Sequence, residues 1–116
     1  MESILTSIKK MLGIEAEYKI FDPDIIMHIN SVFTDLMTLG VGPADGFSIE
    51  DDTSSWVDFM PEGNFEAVKS YMHLRVKLLF DPPASSTIVQ SMERQIEKWE
   101  WKLNVLAEDD TSEKEV

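Results

Sequence analysis

The stretch NFEAVKSYMHLRVKLLFDPPASSTIVQSMERQIEKWEWKLNVL, residues 64–106, decides the fold. It holds two helical patterns joined by Phe80-Asp81-Pro82-Pro83, where two prolines remove the donors and the freedom in φ that a continuing helix needs. So short a turn predicts an antiparallel hairpin. In the first helix Phe65, Val68, Met72, Val76 and Leu79 recur at steps of three and four. Ala67, Tyr71, Leu74 and Leu78 form a second file beside them, and the two files bracket Arg75. The polar arc is narrow, so this helix is expected to be covered from more than one side.

The second helix carries one stripe, Ile88, Met92, Ile96, Trp99, Leu103 and Leu106, at spacings of four, four, three, four and three. Such a stripe suits one face on a core or a coiled-coil seam. Trp101 and Val105 lie one turn apart on nearly the opposite side, where a small domain normally presents polar groups to water. Two readings account for the excess apolar surface: a helical hairpin with a generous core, or burial of part of it between subunits. The second is preferred.

Working outward, Ser3 can cap a short helix carrying Ile4, Leu5, Ile8, Met11 and Leu12, with Gly13 placed for a left-handed stop. Residues 14–20 show no period and read as a connector. At Phe21-Asp22-Pro23-Asp24, Asp22 is the expected cap, Pro23 the first helical residue and Asp24 a partner for the dipole, with Phe21 and Ile26 spaced as a hydrophobic staple. The helix should run to Leu39 and bury Ile25, Ile26, Ile29, Val32, Phe33 and Leu36. Gly40 suits a left-handed cap, which as a Schellman motif would set Val41 against Leu36.

Residues 40–52 form the one extended loop, with Asp45-Gly46 as a turn and Phe47-Ser48-Ile49 as a possible short strand. Thr53 to Met60, containing Trp56, Val57 and Phe59, reads as a brief helix ended by Pro61 and Gly63 before Asn64 caps the long one. The expected fold is all-α: a small domain of four or five helices over residues 1–107, with a long C-terminal antiparallel hairpin and one irregular loop. Residues 108–116 hold five acids against Lys114 and read as an acidic, disordered tail.

At 116 residues and 43% apolar content, the chain supports one domain with a modest core. No apolar run approaches membrane-spanning length and no basic N-terminal region leads into one, which predicts residence in the cytoplasm of the cell that makes it. Lack of cysteine excludes disulfides and thiolate metal sites. Ten basic against 22 acidic residues give a net charge of −12, which argues against a grip on nucleic-acid backbone, where lysines and arginines must neutralise phosphates. An acidic wall around a passage would instead keep a duplex from sticking.

Groups for chemistry are few. His28 and His73 are the only histidines, and neither has a partner at helical ligand spacing. A small hydrolase would have to be built on them. The acids Asp45, Asp51 and Asp52 do not make an EF-hand, because the closing glutamate position holds Trp56. Gly40-x-Gly42 lacks the flanks of a nucleotide cradle. Ser85, Ser86 and Thr87 lack an activating neighbour and read as caps of the last helix. Arg75 either carries its head to water on its aliphatic stem or pairs with a carboxylate such as Asp81 or one from another chain.

Taken in order, Ile8-Lys9-Lys10-Met11-Leu12-Gly13-Ile14, Phe21-Asp22, Ile29-Asn30, Leu39-Gly40-Val41-Gly42-Pro43 with Phe47-Ser48-Ile49, Trp56, Val68-Lys69-Ser70-Tyr71, Leu79-Phe80-Asp81-Pro82-Pro83 and Glu100-Trp101-Lys102-Leu103-Asn104 resemble the small connector proteins of long-tailed bacteriophages and prophages. These are also called head-completion or adaptor proteins. The resemblance spans Ile4 to Leu106 and rests chiefly on Phe80-Asp81-Pro82-Pro83 and Glu100-Trp101. It implies a structural virion protein of the head-to-tail junction, not an enzyme and without cofactor or metal, present in the host cytoplasm during assembly. It implies binding beneath the portal protein, a closed ring of about twelve copies of the chain, a surface for the next connector or tail protein, and a channel through which DNA passes without sequence-specific binding. No membrane partner is implied. Gly42, Pro43, Phe47, Ile49, Arg75, Asp81, Trp101 and Val105 are the candidate oligomer or partner contacts. A different class, an acidic regulator that binds a host protein, is the alternative.

Overall fold

A computed structural model describes residues 2–61 and 65–115, with side chains as far as residue 107. Five helices follow in order: α1 (Ile4–Met11), α2 (Asp22–Thr38), α3 (Trp56–Phe59), α4 (Phe65–Phe80) and α5 (Ser86–Glu115). The architecture is all-α, as expected. The acidic segment expected to be a disordered tail falls where the α5 backbone continues to Glu115, and its side chains lie outside the described residues. The expected Asn64 cap lies outside them too.

Helix ends follow local chemistry closely. Ser3 accepts a hydrogen bond from the Thr6 N–H and so caps α1. At its far end Gly13, at φ +81°, lets the Gly13 and Ile14 N–H groups turn back to the Lys10 and Lys9 carbonyls. The same Schellman closure ends α2: the Gly40 N–H donates to Met37 O at 3.0 Å and the Val41 N–H to Leu36 O at 2.9 Å. Val41 and Leu36 are both buried. Ser85 Oγ accepts from the Ile88 N–H at 3.4 Å, in keeping with a capping role before α5.

The start of α2 differs from expectation. Phe21, not Asp22, is the N-cap, and it makes no side-chain cap bond. Asp22 is drawn instead to Lys9 Nζ at 2.8 Å, and Lys9 is only 2% exposed. Lys9 also donates to the Ala16 and Tyr18 carbonyls at 3.0 and 2.8 Å. A buried ammonium requires such partners, and they tie the irregular 14–20 connector to α1. With Phe21 as cap a staple would span Ile20 and Ile25, but Ile20 is exposed. The Phe21 ring meets Tyr18 and Phe80 instead, at centroid distances of 5.7 and 5.3 Å.

The core is shared by Ile4, Leu5 and Ile8 of α1, Ile25, Ile29, Val32, Phe33 and Leu36 of α2, Trp56 and Phe59 of α3, Val68, Tyr71, Met72 and Val76 of α4, and Leu103 of α5. Ile26 is half-buried rather than core. Trp56 donates its indole N–H to Ser7 Oγ at 2.8 Å, which satisfies the one polar atom of a fully buried ring. The brief helix is shorter than residues 53–60; it begins after Ser55, whose side chain and Asp58 form a capping box. Antiparallel packing of α4 and α5 follows from the start of α4, at Glu66, Ala67 and Ser70, lining one groove with Trp101, Lys102, Val105 and Leu106 in the second half of α5. The expected apolar stripes are not followed at the hairpin's ends: Leu79, Ile88 and Leu106 are exposed, while Phe80 and Ala107 pack against the core there.

No strand forms among the described residues at 47–49. Asn30 takes the place of a neighbouring strand there: its Nδ2 donates to Ile49 O at 3.0 Å and its Oδ1 accepts from the Ile49 N–H at 2.8 Å. Both backbone groups of a buried residue are thereby satisfied by one amide, and the extended segment needs no partner strand.

Candidate assembly interface

The eight candidate contact residues fall into four places. Gly42, Pro43, Phe47 and Ile49 lie in the α2–α3 loop, and the packing there explains much of their chemistry. Gly42 has φ +89°, and an added Cβ would stand 2.3 Å from Phe59 Cε1. Only glycine fits both demands. Phe47 packs its ring edge-on to Phe33 and Phe59, at centroid distances of 5.0 and 5.4 Å. Ile49 is 2% exposed. What the loop offers outward is Gly42, the half-buried Pro43, Ala44, Asp45, Ser48 and the three acids Glu50, Asp51 and Asp52.

Arg75 and Asp81 are not brought together. Asp81 accepts from Lys77 at 2.8 Å, one turn back on the same helix. Arg75 reaches across to α2, where Nη2 donates to Asp35 Oδ2 at 2.6 Å, and its Nη1 donates to the Tyr71 hydroxyl at 2.6 Å. Tyr71 in turn donates to Glu100 Oε2 at 2.7 Å, and Glu100 lies 3.8 Å from Arg75 Nη1. One guanidinium and one phenol thus connect α2, α4 and α5. Burial and then the bond to Glu100 push the Tyr71 pKa up to about 12, with Arg75 opposing. Burial works against the charged form of Arg75, but the bonds to Asp35 and Tyr71 outweigh it and hold the pKa above its ordinary value.

Of the two sequence readings of Arg75, a head carried to water or a pair with Asp81 or another chain's carboxylate, neither named Asp35 and Glu100, the partners it has. They come from helices distant in sequence, and no local spacing signals them. Asn30 was missed as the loop's anchor. Its signal was an amide with weak helix propensity next to the buried Ile29.

Trp101 and Val105 lie on α5 beside an open groove of about 460 Å³, lined by Glu66, Ala67 and Ser70 of α4 and by Trp99, Trp101, Lys102, Val105 and Leu106 of α5. Trp101 is 69% exposed, while Leu103, two residues on, is 3% exposed. Lys102 Nζ sits 5.0 Å from the Trp99 ring centroid, a cation–π contact at the groove's rim. An indole in water carries a large unrealised burial energy, of order 2 kcal/mol or more.

Neither histidine meets a catalytic partner. His28 faces the Phe80 ring at 6.5 Å, and burial pushes the His73 pKa down, opposed by its bond to the Met11 backbone. Among the described residues there is no cluster of three or more metal-binding side chains, and no helix is long and apolar enough to cross a membrane.

A helical scaffold braced by an internal polar network thus carries an exposed indole and an open groove on the outside of its hairpin. The chain belongs to the phage connector protein family, whose model matches residues 4–110. It is therefore a structural phage protein, a component of the virion that works together with other head and tail components. No curated protein and no solved structure matched it.

Proposed function

We propose that the chain joins the portal at the head vertex to the next connector or tail component, assembling as a ring that leaves a channel for DNA. The observation that carries this reading is Trp101, 69% exposed on the outer side of α5, with Val105 beside it and the α4–α5 groove alongside. Family membership supports the placement of such a surface against other virion proteins. In this reading Trp101 and Val105 form one contact, and Gly42 and Pro43, on the outer edge of the α2–α3 loop, form another. Phe47, Ile49 and Arg75 hold those surfaces in shape from within, and Asp81 stands at the hairpin turn where neighbouring helices would meet. The acidic surface suits a passage that must not retain DNA.

Light scattering and electron microscopy of the purified chain, alone and mixed with its cognate portal, test this. Rings, or ordered addition to the portal, are expected. A persistent monomer indifferent to the portal would overturn the reading and favour a regulator bound to a host protein.

A further inference from the structure

On α5, Trp101, Arg94, Val105, Lys98 and Lys102 fall within one arc of about 100°, opposite the buried Met92 and Leu103. Arg94, Lys98, Trp101 and Lys102 are all exposed. Between Arg94 and Val105 the arc contains no acid; Glu93, Glu97 and Glu100 lie together on the flank. Arg94, Lys98 and Lys102 make no ion pair among the described residues, as is also true of Lys10 and Lys19, whereas Lys9, Lys69, Arg75 and Lys77 do; Lys102 meets the Trp99 ring instead. Three cations spaced four apart repel one another along a helix. In a chain of net charge −12, a basic and aromatic arc of this kind calls for carboxylates from outside.

The same molecule carries a matching surface elsewhere. Glu50, Asp51 and Asp52 are three successive exposed acids, and with Asp22 they make four acids against the single cation Lys19 around a hollow completed by Leu5, Pro23 and Ile26. The groove beside Trp101 is lined by α4 and α5 alone, so the two surfaces share no residue. The acidic loop is held in shape by Asp51, whose Oδ1 accepts from the Thr53 N–H at 2.9 Å. Lys98 and Lys102 are about 6 Å apart along the helix axis, and Glu50 and Asp52 at most about 7 Å apart along the chain.

Resting on the ring reading above, we propose that the α5 arc docks on the Glu50–Asp52 loop of a second copy of this chain, with Trp101 as the apolar anchor of the contact. The charges are complementary and the two patches differ, so the contact is head-to-tail, the kind that closes into a ring. A DNA duplex is a poorer occupant, since three cations flanked by acids on a strongly negative molecule give little grip.

Charge-reversed pairs test the proposal. Arg94→Glu with Lys98→Glu makes one variant and Glu50→Lys with Asp52→Lys another; all four positions are exposed, and circular dichroism checks that each variant folds. Each alone is expected to self-associate about tenfold or more weakly than wild type, with or without the portal. A one-to-one mixture is expected to restore assembly with alternating subunits, because every contact in it is complementary again. Wild-type assembly that both variants reproduce unaided, or a mixture that restores nothing, would overturn this contact while leaving the ring reading standing. Failure of wild type to assemble even on the portal would overturn both. Binding of a short DNA duplex by wild type that is lost in the α5 variant, with self-association unchanged, would assign the arc to nucleic acid and overturn the proposal.

Discussion

Gly42 shows how a residue that reads as simple loop punctuation is held from several sides at once. Its φ of +89° disfavours any L side chain, and the Phe59 ring occupies the space a Cβ would need, with Cε1 at 2.3 Å and Cζ at 2.6 Å. Gly42→Ala is therefore expected to destabilise the fold by about 2–4 kcal/mol, from backbone strain and overpacking together. Urea unfolding with a lowered midpoint and an unchanged slope would confirm it; a midpoint equal to wild type would show that Phe59 yields freely. Asp22 makes the complementary point. Asp-Pro signals a helix start well, yet the side chain is claimed by the buried Lys9, a residue thirteen positions upstream, and the cap passes to Phe21.

At the scale of elements, helices and their closures were legible because they depend on residues within a turn or two. Ser3, the two glycine-led Schellman closures and the Pro82-Pro83 break all act at that range. The way α2, α4 and α5 are fastened was not legible, since the Asp35–Arg75–Tyr71–Glu100 chain joins residues up to 65 positions apart through side chains alone. That network predicts a pH response. The Tyr71 pKa is raised from 10.0 to about 12 by burial and the Glu100 bond, so the unfolded chain loses its phenolic proton first. The stabilisation is fully present below pH 10.0 and is lost as pH rises through about 12. Spectrophotometric titration of wild type is expected to show a phenolate step near pH 12 that is missing in Tyr71→Phe, and alkaline unfolding across that window should be shallower in the variant. A difference spectrum that titrates near pH 10.0 would mean that the hydroxyl is open to water.

For the whole molecule the deciding feature is what is left outside. Trp101 is 69% exposed, so Trp101→Ala should alter the unfolding free energy of the monomer by no more than about 0.5 kcal/mol. In assembly it should cost about 2 kcal/mol or more, the mark of a hot spot, read as a shift in the concentration at which rings or portal complexes form. Unchanged assembly would remove Trp101 from the contact surface. The linear order of residues by itself determined the order of the helices, the glycine stops of α1 and α2, the antiparallel hairpin, the surplus apolar face of α5 and the acidic balance, because periodicity, capping and net charge are local or additive properties; it did not determine that α5 runs on to Glu115. Only the tertiary structure decided that Arg75 is satisfied within the chain, that Ile49 is core, that Asn30 stands in for a strand and that Leu79, Ile88 and Leu106 remain in water. Each of those outcomes depends on which distant side chain arrives within about 3–4 Å, and that distance is set by the packing of all the helices together.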